Sequence, residues 1–310
     1  MINKDSKIYL SGHKGMVGSS ILRLLNKKKF NKVIYRTKKQ LDLLDQKKTF
    51  LFLKSVKPDV VIIAAAKVGG IKANNSCKAE FIYQNLQIQN NLIHGSYISG
   101  VKKLIFLGSS CIYPRNSKQP IKENYLMTNS LEPTNEAYAI AKIAGLKMIE
   151  SYNSQYNTNF LCLMPCNLYG PNDNYDLNTS HFLPALIRKI AEAKIKNKKK
   201  VLLWGDGSPL REIMHVDDLA DACLFFLKKN LKQSFINIGS GEEYSIKKYA
   251  EIISKIFGYN GKIVFNNNGL NGTPRKKLDC TIAKQLNWHP KVSFRSSIME
   301  ICNQYIKSIT

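Results

Sequence analysis

A short apolar strand, Ile8-Tyr9-Leu10-Ser11, runs directly into Gly12-His13-Lys14-Gly15-Met16-Val17-Gly18 and then into an amphipathic stretch from Ser19 to Leu25. No other feature narrows the folds open to this chain so sharply, because it predicts a strand, a tight turn and a helix start in immediate succession. Glycines are required there because the turn takes positive φ, the backbone must approach a diphosphate closely, and the helix must pack tightly on the strand. The helix N-terminus then offers unpaired N–H groups to phosphate oxygens. Taken alone, such a loop is a weak signal, and a glycine-rich turn that binds nothing is the lesser alternative.

The rest of the first half alternates apolar strands with helical stretches: Val33 to Arg36, Val60 to Ala66, Leu104 to Ser109 and Asn159 to Met164. This alternation predicts an α/β fold, a Rossmann-type doubly wound parallel sheet covered on both faces, in which ligands gather at the carboxyl ends of the strands. Each unusual segment falls at such an end: Gly12 to Gly18, Ala65 to Gly70, Gly108 to Cys111, and Pro165 to Gly170. Beyond Pro171 the pattern becomes irregular, and a smaller C-terminal α/β lobe is expected. Residues 1–170 form the expected nucleotide domain, with a later segment at about 212–235 returning to it, and 171–310 mainly the substrate lobe. With 310 residues, 44% of them hydrophobic, the chain can bury a full core.

The formal charge of +25 raises the possibility of nucleic-acid binding. Only seven of the 47 basic residues are Arg, the residue suited to bidentate phosphate and base contacts, and the lysines are scattered apart from Lys27-Lys28-Lys29 and Lys198-Lys199-Lys200. A basic surface suits an enzyme of anionic nucleotides equally well, so no nucleic-acid partner is expected. The seven cysteines are odd in number and lack paired C-x-x-C spacing, which argues against a disulfide scaffold and against a metal site. His94 reads as a packed or surface residue. Met1 to Lys7 is polar and no apolar run approaches a membrane span, so a soluble, cytoplasmic protein without a membrane partner is expected.

The second strand ends in Tyr35-Arg36-Thr37-Lys38-Lys39, and Lys14 lies in the glycine loop. An acidic residue at this place would take a ribose 2'-hydroxyl; cations suit a 2'-phosphate, so the expected cofactor is NADP(H), with Arg36 and Lys38 as contacts. A cation cluster on the surface is the simpler alternative. Tyr138 and Lys142 stand four apart and share one helix face. A lysine cation beside the phenol would lower a pKa normally near ten, and Ser109 at a neighbouring strand end could hold the same carbonyl oxygen, which together predicts a reductase or dehydrogenase triad.

Several longer segments carry a specific resemblance. Gly108-Ser109-Ser110-Cys111-Ile112-Tyr113-Pro114, Leu131-Glu132-Pro133-Thr134-Asn135-Glu136, Tyr138-Ala139-Ile140-Ala141-Lys142, Asn167-Leu168-Tyr169-Gly170-Pro171, Ser180-His181, Arg211-Glu212 and His215-Val216-Asp217-Asp218 resemble the GDP-L-fucose synthase family. That family belongs to the extended short-chain dehydrogenases/reductases, whose relatives share the G-x-x-G-x-x-G spacing. The likeness extends to Gly272-Thr273-Pro274-Arg275-Lys276, nearly the whole chain. It implies epimerisation of GDP-4-keto-6-deoxy-D-mannose at C3 and C5 followed by NADPH-dependent reduction at C4, by a homodimer joined through helices of the nucleotide domain.

The resemblance also implies residue roles. Cys111 matches the base and His181 the acid of the epimerisation, Tyr138 the proton donor to the C4 oxygen, Ser109 its hydrogen-bonding partner, and Lys142 the ribose contact. A thiol works as a base only if nearby positive charge draws its pKa toward neutrality; otherwise Cys111 would be an inert core thiol. The expected cofactor contacts are Gly12, His13, Lys14, Gly15, Met16, Val17 and Gly18 in the loop and Leu107, Gly108, Ser109 and Ser110 after the strand at 104. Pro165, Cys166, Asn167 and Leu168 in the next turn, with Lys142 and His181, complete the set. Arg211, Trp204, Lys189 and Asn271 are expected on the GDP-sugar. Arg211 could instead pair with Glu212 or an aspartate, Trp204 could be core, and Lys189 solvated surface.

The chain departs from the family pattern at Lys189, where Arg is usual, at Cys166, which replaces a hydroxyl residue, and at Asn271, where Asp is common. A lysine cannot reproduce a bidentate Arg contact. These changes leave open a C4-reductase of another GDP-4-keto-6-deoxy sugar, a heptose or dideoxyhexose. A non-catalytic nucleotide- or nucleic-acid-binding protein on the same fold is the reading from a different class, opposed by the complete Ser, Tyr, Lys, Cys and His set. A 4,6-dehydratase is disfavoured because those relatives carry an Asp-Glu pair where this chain has Ser110-Cys111.

Overall fold

A computed structural model describes residues 2–266 and 272–309. The chain opens with β1 (Ile8–Ser11), α1 (Met16–Lys27), β2 (Val33–Ile34), α2 (Gln46–Val56), β3 (Val60–Ile63), α3 (Ile71–Ser76), α4 (Lys78–Ile98) and β4 (Lys103–Leu107). Then follow α5 (Glu136–Tyr156), β5 (Phe160–Pro165), β6 (Asn167–Tyr169), α6 (Phe182–Ile195), β7 (Lys200–Trp204), β8 (Leu210–His215) and α7 (Val216–Leu227). The last elements are β9 (Phe235–Ile238), β10 (Glu243–Ser245), α8 (Ile246–Phe257), β11 (Lys262–Asn266), β12 (Arg275–Lys276), α9 (Thr281–Gln285) and α10 (Phe294–Ile309).

Six strands make one parallel sheet in the order β2-β1-β3-β4-β5-β9. Every residue of β1, β3, β4 and β5 is buried, which is why these segments are continuous apolar runs rather than alternating ones. Winding reverses at β1, so the crevice at the carboxyl ends of β1 and β3 is a topological switch point. The register sets these ends flush, pairing Ser11 with Ile63, Ile63 with Phe106 and Leu107 with Leu163.

The strands are shorter than expected at three of these ends, β4 closing at Leu107 rather than at Ser109. The second strand pairs only over Val33–Ile34, leaving Tyr35 and Arg36 outside the ladder and free to face the crevice. The third stops at Ile63, because Gly12, at φ +77°, packs so closely that a Cβ there would lie 2.6 Å from Ala65 N.

The buried apolar side chains form two clusters. The larger surrounds the parallel sheet and takes in Leu219 to Leu227, Ile236 and Ile238, together with Leu278, Ala283 and Trp288 near the C-terminus. The smaller is built from Leu183 to Ala193, Val201, Leu203, Tyr249 to Tyr259 and Phe294 to Tyr305. Between them, β8 pairs with β6, β10 and β12, and β7 pairs with β11. No helix among the described residues is long and apolar enough to cross a membrane.

Candidate active site

The glycine loop fits a dinucleotide diphosphate. Gly15 caps α1 without a side-chain hydrogen bond, and the first turn contains no acidic residue, so the N–H groups of Met16, Val17 and Gly18 have no competing anion. A Cβ on Gly18 would lie 2.1 Å from Gly12 O, so the turn closes only with glycine there. The His13 ring lies 4.4 Å from that of Tyr35, tilted by 32°, and its Nδ1 is buried without a protein partner. Burial first, then the neighbouring Lys14 charge, lowers the His13 pKa below the ordinary imidazole value. Arg36 lies over the Phe52 ring at 5.4 Å and donates to Tyr35 O at 2.8 Å, which anchors the guanidinium at the mouth of the crevice; Lys38 follows on the exposed turn.

At the next strand ends the backbone does the positioning. Leu107 closes β4, and a 3-10 turn, Ser110–Ile112, is capped by Ser109, whose Oγ accepts the Cys111 N–H at 3.2 Å. Pro165 ends β5, and Cys166, which is buried, donates its thiol to Asn167 O at 3.6 Å before Asn167 and Leu168 enter β6. Burial raises the Cys166 pKa well above the usual thiol value, which leaves it a neutral packing group.

Ser109, Cys111 and Tyr138 converge, since the Ser109 hydroxyl lowers the pKa of both the thiol and the phenol. Lys142 is buried on the same helix face as Tyr138, with Nζ 5.8 Å from the phenol ring centroid. The expected depression of the Tyr138 pKa is not what the geometry gives. The ammonium donates to Leu107 O at 2.8 Å and sits 4.6 Å over the Phe106 ring. Burial pushes the Lys142 amine down to about 8, while burial and then the nearby Cys111 push the Tyr138 phenol up. Tyr138 therefore stays protonated at neutral pH, the form a proton donor needs.

A residue with no role assigned from sequence completes the site. Lys276 Nζ lies 3.4 Å from Cys111 Sγ. Lys276 is the register partner of Arg211 across β12 and β8, which puts two cations side by side. Burial alone would raise the Cys111 pKa, but Lys276, the Ser109 hydroxyl and Arg211 outweigh it and draw the thiol below its ordinary value. The nearby positive charge that the thiol requires is thus supplied by the Lys276 and Arg211 side chains. His181 is the N-cap residue of α6, makes no side-chain capping hydrogen bond and is exposed. Desolvation first, and then the Lys276 charge, lowers its pKa.

On β8, Arg211 is buried, with Nη1 donating to Leu210 O at 2.8 Å. Glu212 is not its ion-pair partner: its carboxylate accepts from Gly241 N at 2.7 Å and Leu278 N at 2.8 Å. Trp204 is 57% exposed rather than core, and Lys189 Nζ lies 5.4 Å over its ring while donating to Leu202 O at 3.1 Å. These two form a patch on α6 and β7. Asn271 lies outside the described residues. His94, expected to be a packed or surface residue, has its Nδ1 2.6 Å from Tyr152 Oη between α4 and α5.

The chain matches the NAD dependent epimerase/dehydratase family over residues 8–239. It is 49% identical over 309 residues to GDP-L-fucose synthase 1 of Arabidopsis thaliana, covering 100% of this chain and 96% of that relative. It is 44% identical over 311 residues to the GDP-L-fucose synthase of Escherichia coli K12, covering 97% of each. Among solved structures, a GDP-mannoheptose C4 reductase from Campylobacter jejuni with NADP bound superposes with a TM-score of 0.90 at 38% identity, covering 99% of this chain and 100% of that one. By its matched length, its full-length relatives and the fold that carries its glycine loop, this chain belongs to the NAD dependent epimerase/dehydratase family and, within it, to the GDP-L-fucose synthases.

Proposed function

We infer that the protein converts GDP-4-keto-6-deoxy-D-mannose to GDP-L-fucose, using NADP(H). The observation that carries this reading is the Cys111 thiol held by Lys276 beside the Ser109, Tyr138 and Lys142 set, because a plain C4-reductase needs no activated base there. The 4-keto group acidifies the protons on C3 and C5. The Cys111 thiolate removes each proton, and His181 returns one from the opposite face, which inverts the carbon. Tyr138, protonated at neutral pH, gives its proton to the C4 oxygen, which Ser109 orients. When bound, NADPH supplies the hydride for C4. Lys142 and Leu107 form one buried unit against which the nicotinamide ribose would rest.

Gly12 to Gly18, Arg36, Lys38 and the turns 107–110 and 165–168 hold the dinucleotide, in a domain of residues 1–170 with 212–235. Arg211, Trp204, Lys189 and Asn271 take the GDP-sugar in the lobe of 171–310. Exposed Tyr83, Ile98, Ile140 and Tyr156 on α4 and α5 support a homodimer joined through these helices. Seven free thiols suit the reducing cytoplasm.

A second reading, reduction at C4 of a GDP-heptose or GDP-dideoxyhexose, draws on Lys189 standing where Arg is usual, its amine already donating to Leu202 O. Assay of NADPH oxidation with GDP-4-keto-6-deoxy-D-mannose and with GDP-4-keto heptoses tests both. GDP-L-fucose as the product of the first substrate supports the leading reading; turnover of heptoses alone replaces it with the second.

A further inference from the structure

The segment after β3, Ala65 to Gly70, stands at a strand end like the other site loops, yet none of the roles above uses it. It is held from behind by two buried asparagines. Asn85 Oδ1 accepts from Lys67 N at 3.0 Å, and its Nδ2 donates to Lys67 O at 3.0 Å and Phe81 O at 2.8 Å. Asn74 Nδ2 donates to Gly69 O at 2.7 Å and Gly70 O at 3.1 Å. In front, Gly70 N donates to Thr179 O at 2.8 Å, and a Cβ on Gly70 would lie 2.2 Å from Ser180 O. Lys72 Nζ adds a bond to Asn178 Oδ1 at 2.7 Å. The segment so gripped ends one residue before His181. It is itself stiffened by Asp176, whose Oδ1 accepts the N–H groups of Asn178 and Thr179, each at 3.0 Å.

We propose that Gly70, backed by Asn74 and Asn85, is the positioning element for His181. The proposal rests on the reading of His181 as the acid of epimerisation. The backbone of 179–180 can sit this close to β3 only because residue 70 lacks a side chain. The nearest atoms to an added Cβ are backbone atoms of Ser180, which cannot swing away as a side chain would. Displacing that backbone moves the acid and leaves Cys111, Tyr138 and the glycine loop on their own elements.

The chemistry makes this separable. Proton removal by Cys111 converts the C4 ketone to its enolate. A solvent-derived proton returned by His181 from the opposite face inverts the carbon, whereas one returned from the same face by the thiol, after its S–H has exchanged with deuterated water, restores the original configuration and still places deuterium on the carbon. A displaced acid therefore yields exchange without inversion, followed by reduction of the uninverted sugar.

The test uses the full chain with NADPH and GDP-4-keto-6-deoxy-D-mannose in deuterated water, with NMR of the reduced products, for Gly70→Ala, Asn74→Ala and His181→Gln. The expected result is a fall in the ratio of inverted to uninverted product, by up to about a hundred-fold for an ångström of displacement. It is accompanied by continuing deuterium entry and unchanged NADPH affinity, in Gly70→Ala or, where that chain fails to fold, in Asn74→Ala. A wild-type ratio in these variants, or equal loss of inversion, reduction and NADPH binding, overturns the proposal. Inversion that survives His181→Gln overturns the reading of His181 itself, and the proposal with it.

Discussion

Lys276 Nζ sits 3.4 Å from Cys111 Sγ although 165 residues separate them in sequence. The approach is built by backbone pairing. Ile121 N donates to Lys277 O at 2.7 Å and Asp279 N to Ile121 O at 2.8 Å, while Gln119 binds Arg275 O and Lys277 N at 3.1 and 2.9 Å. The loop that follows Cys111 is thereby stitched to β12, and the β8 register adds Arg211 beside Lys276. The cation that draws the Cys111 pKa down is thus fixed by the fold itself.

Lys276 lowers the pKa of both Cys111 and His181. Base catalysis needs the thiolate, so exchange falls as pH drops through the Cys111 pKa; acid catalysis needs the imidazolium, so inversion falls as pH rises through the His181 pKa. Removing one cation that lowers both values moves both limbs upward. Lys276→Met should displace the whole pH profile of inversion toward alkaline pH and slow exchange at pH 7, measured by deuterium entry at C3 and C5 across pH 6–10. A profile that keeps its position would remove Lys276 from the activation of the thiol.

On the proposed roles, epimerisation and reduction use different residues and should separate. Cys111→Ser should slow deuterium exchange by about 10²–10⁴-fold while NADPH affinity stays unchanged, because an alcohol at this place is a far weaker base. Tyr138→Phe should cost NADPH oxidation a similar factor and leave exchange measurable. Loss of both activities together in either variant would contradict the separate roles.

Arg36 is anchored by Phe52 and by Tyr35 O at the mouth of the crevice. With Lys38 it would face a 2'-phosphate, and charge-assisted hydrogen bonds of this kind contribute about 1.5–3 kcal/mol. Arg36→Ala should weaken NADPH by about 10–100-fold and NADH hardly at all, as read by titration of cofactor fluorescence. Equal weakening of both cofactors would place Arg36 elsewhere than on the 2'-phosphate.

Much of this architecture was legible in local sequence. The glycine loop, the apolar runs of β1, β3, β4 and β5, and the pairing of Tyr138 with Lys142 on one helix face all follow from spacing over a few residues. What local spacing could not carry were contacts made across the chain. The Lys276 approach depends on a loop zipped to a distant strand, and the grip of Gly70 on Ser180 depends on the packing of two loops. The tilt of Lys142 toward Leu107 O is set by the end of β4, not by its own helix. The one available signal for Lys276 was its place in Gly272-Thr273-Pro274-Arg275-Lys276, a segment noted for resemblance but given no role.

Asp173, in the loop before α6, is pushed by burial up to about 7. A carboxyl whose folded pKa is raised stabilises the fold in its protonated form, and that contribution is full below its unfolded pKa near 3.8 and lost as pH rises through about 7. Asp173→Asn keeps the shape and the acceptor for Asn174 N. It should therefore raise Tm relative to the parent at pH 8 and leave the difference near zero at pH 4. A Tm difference independent of pH would show that Asp173 ionises freely in the fold.

The central claim is that one pocket inverts C3 and C5 and then reduces C4. Its most direct test is NADPH oxidation with GDP-4-keto-6-deoxy-D-mannose in deuterated water, followed by NMR of the product. The expected product is GDP-L-fucose carrying solvent deuterium at both C3 and C5. A reduced product with protium at both carbons and the original configuration would contradict it and leave the protein a C4-reductase.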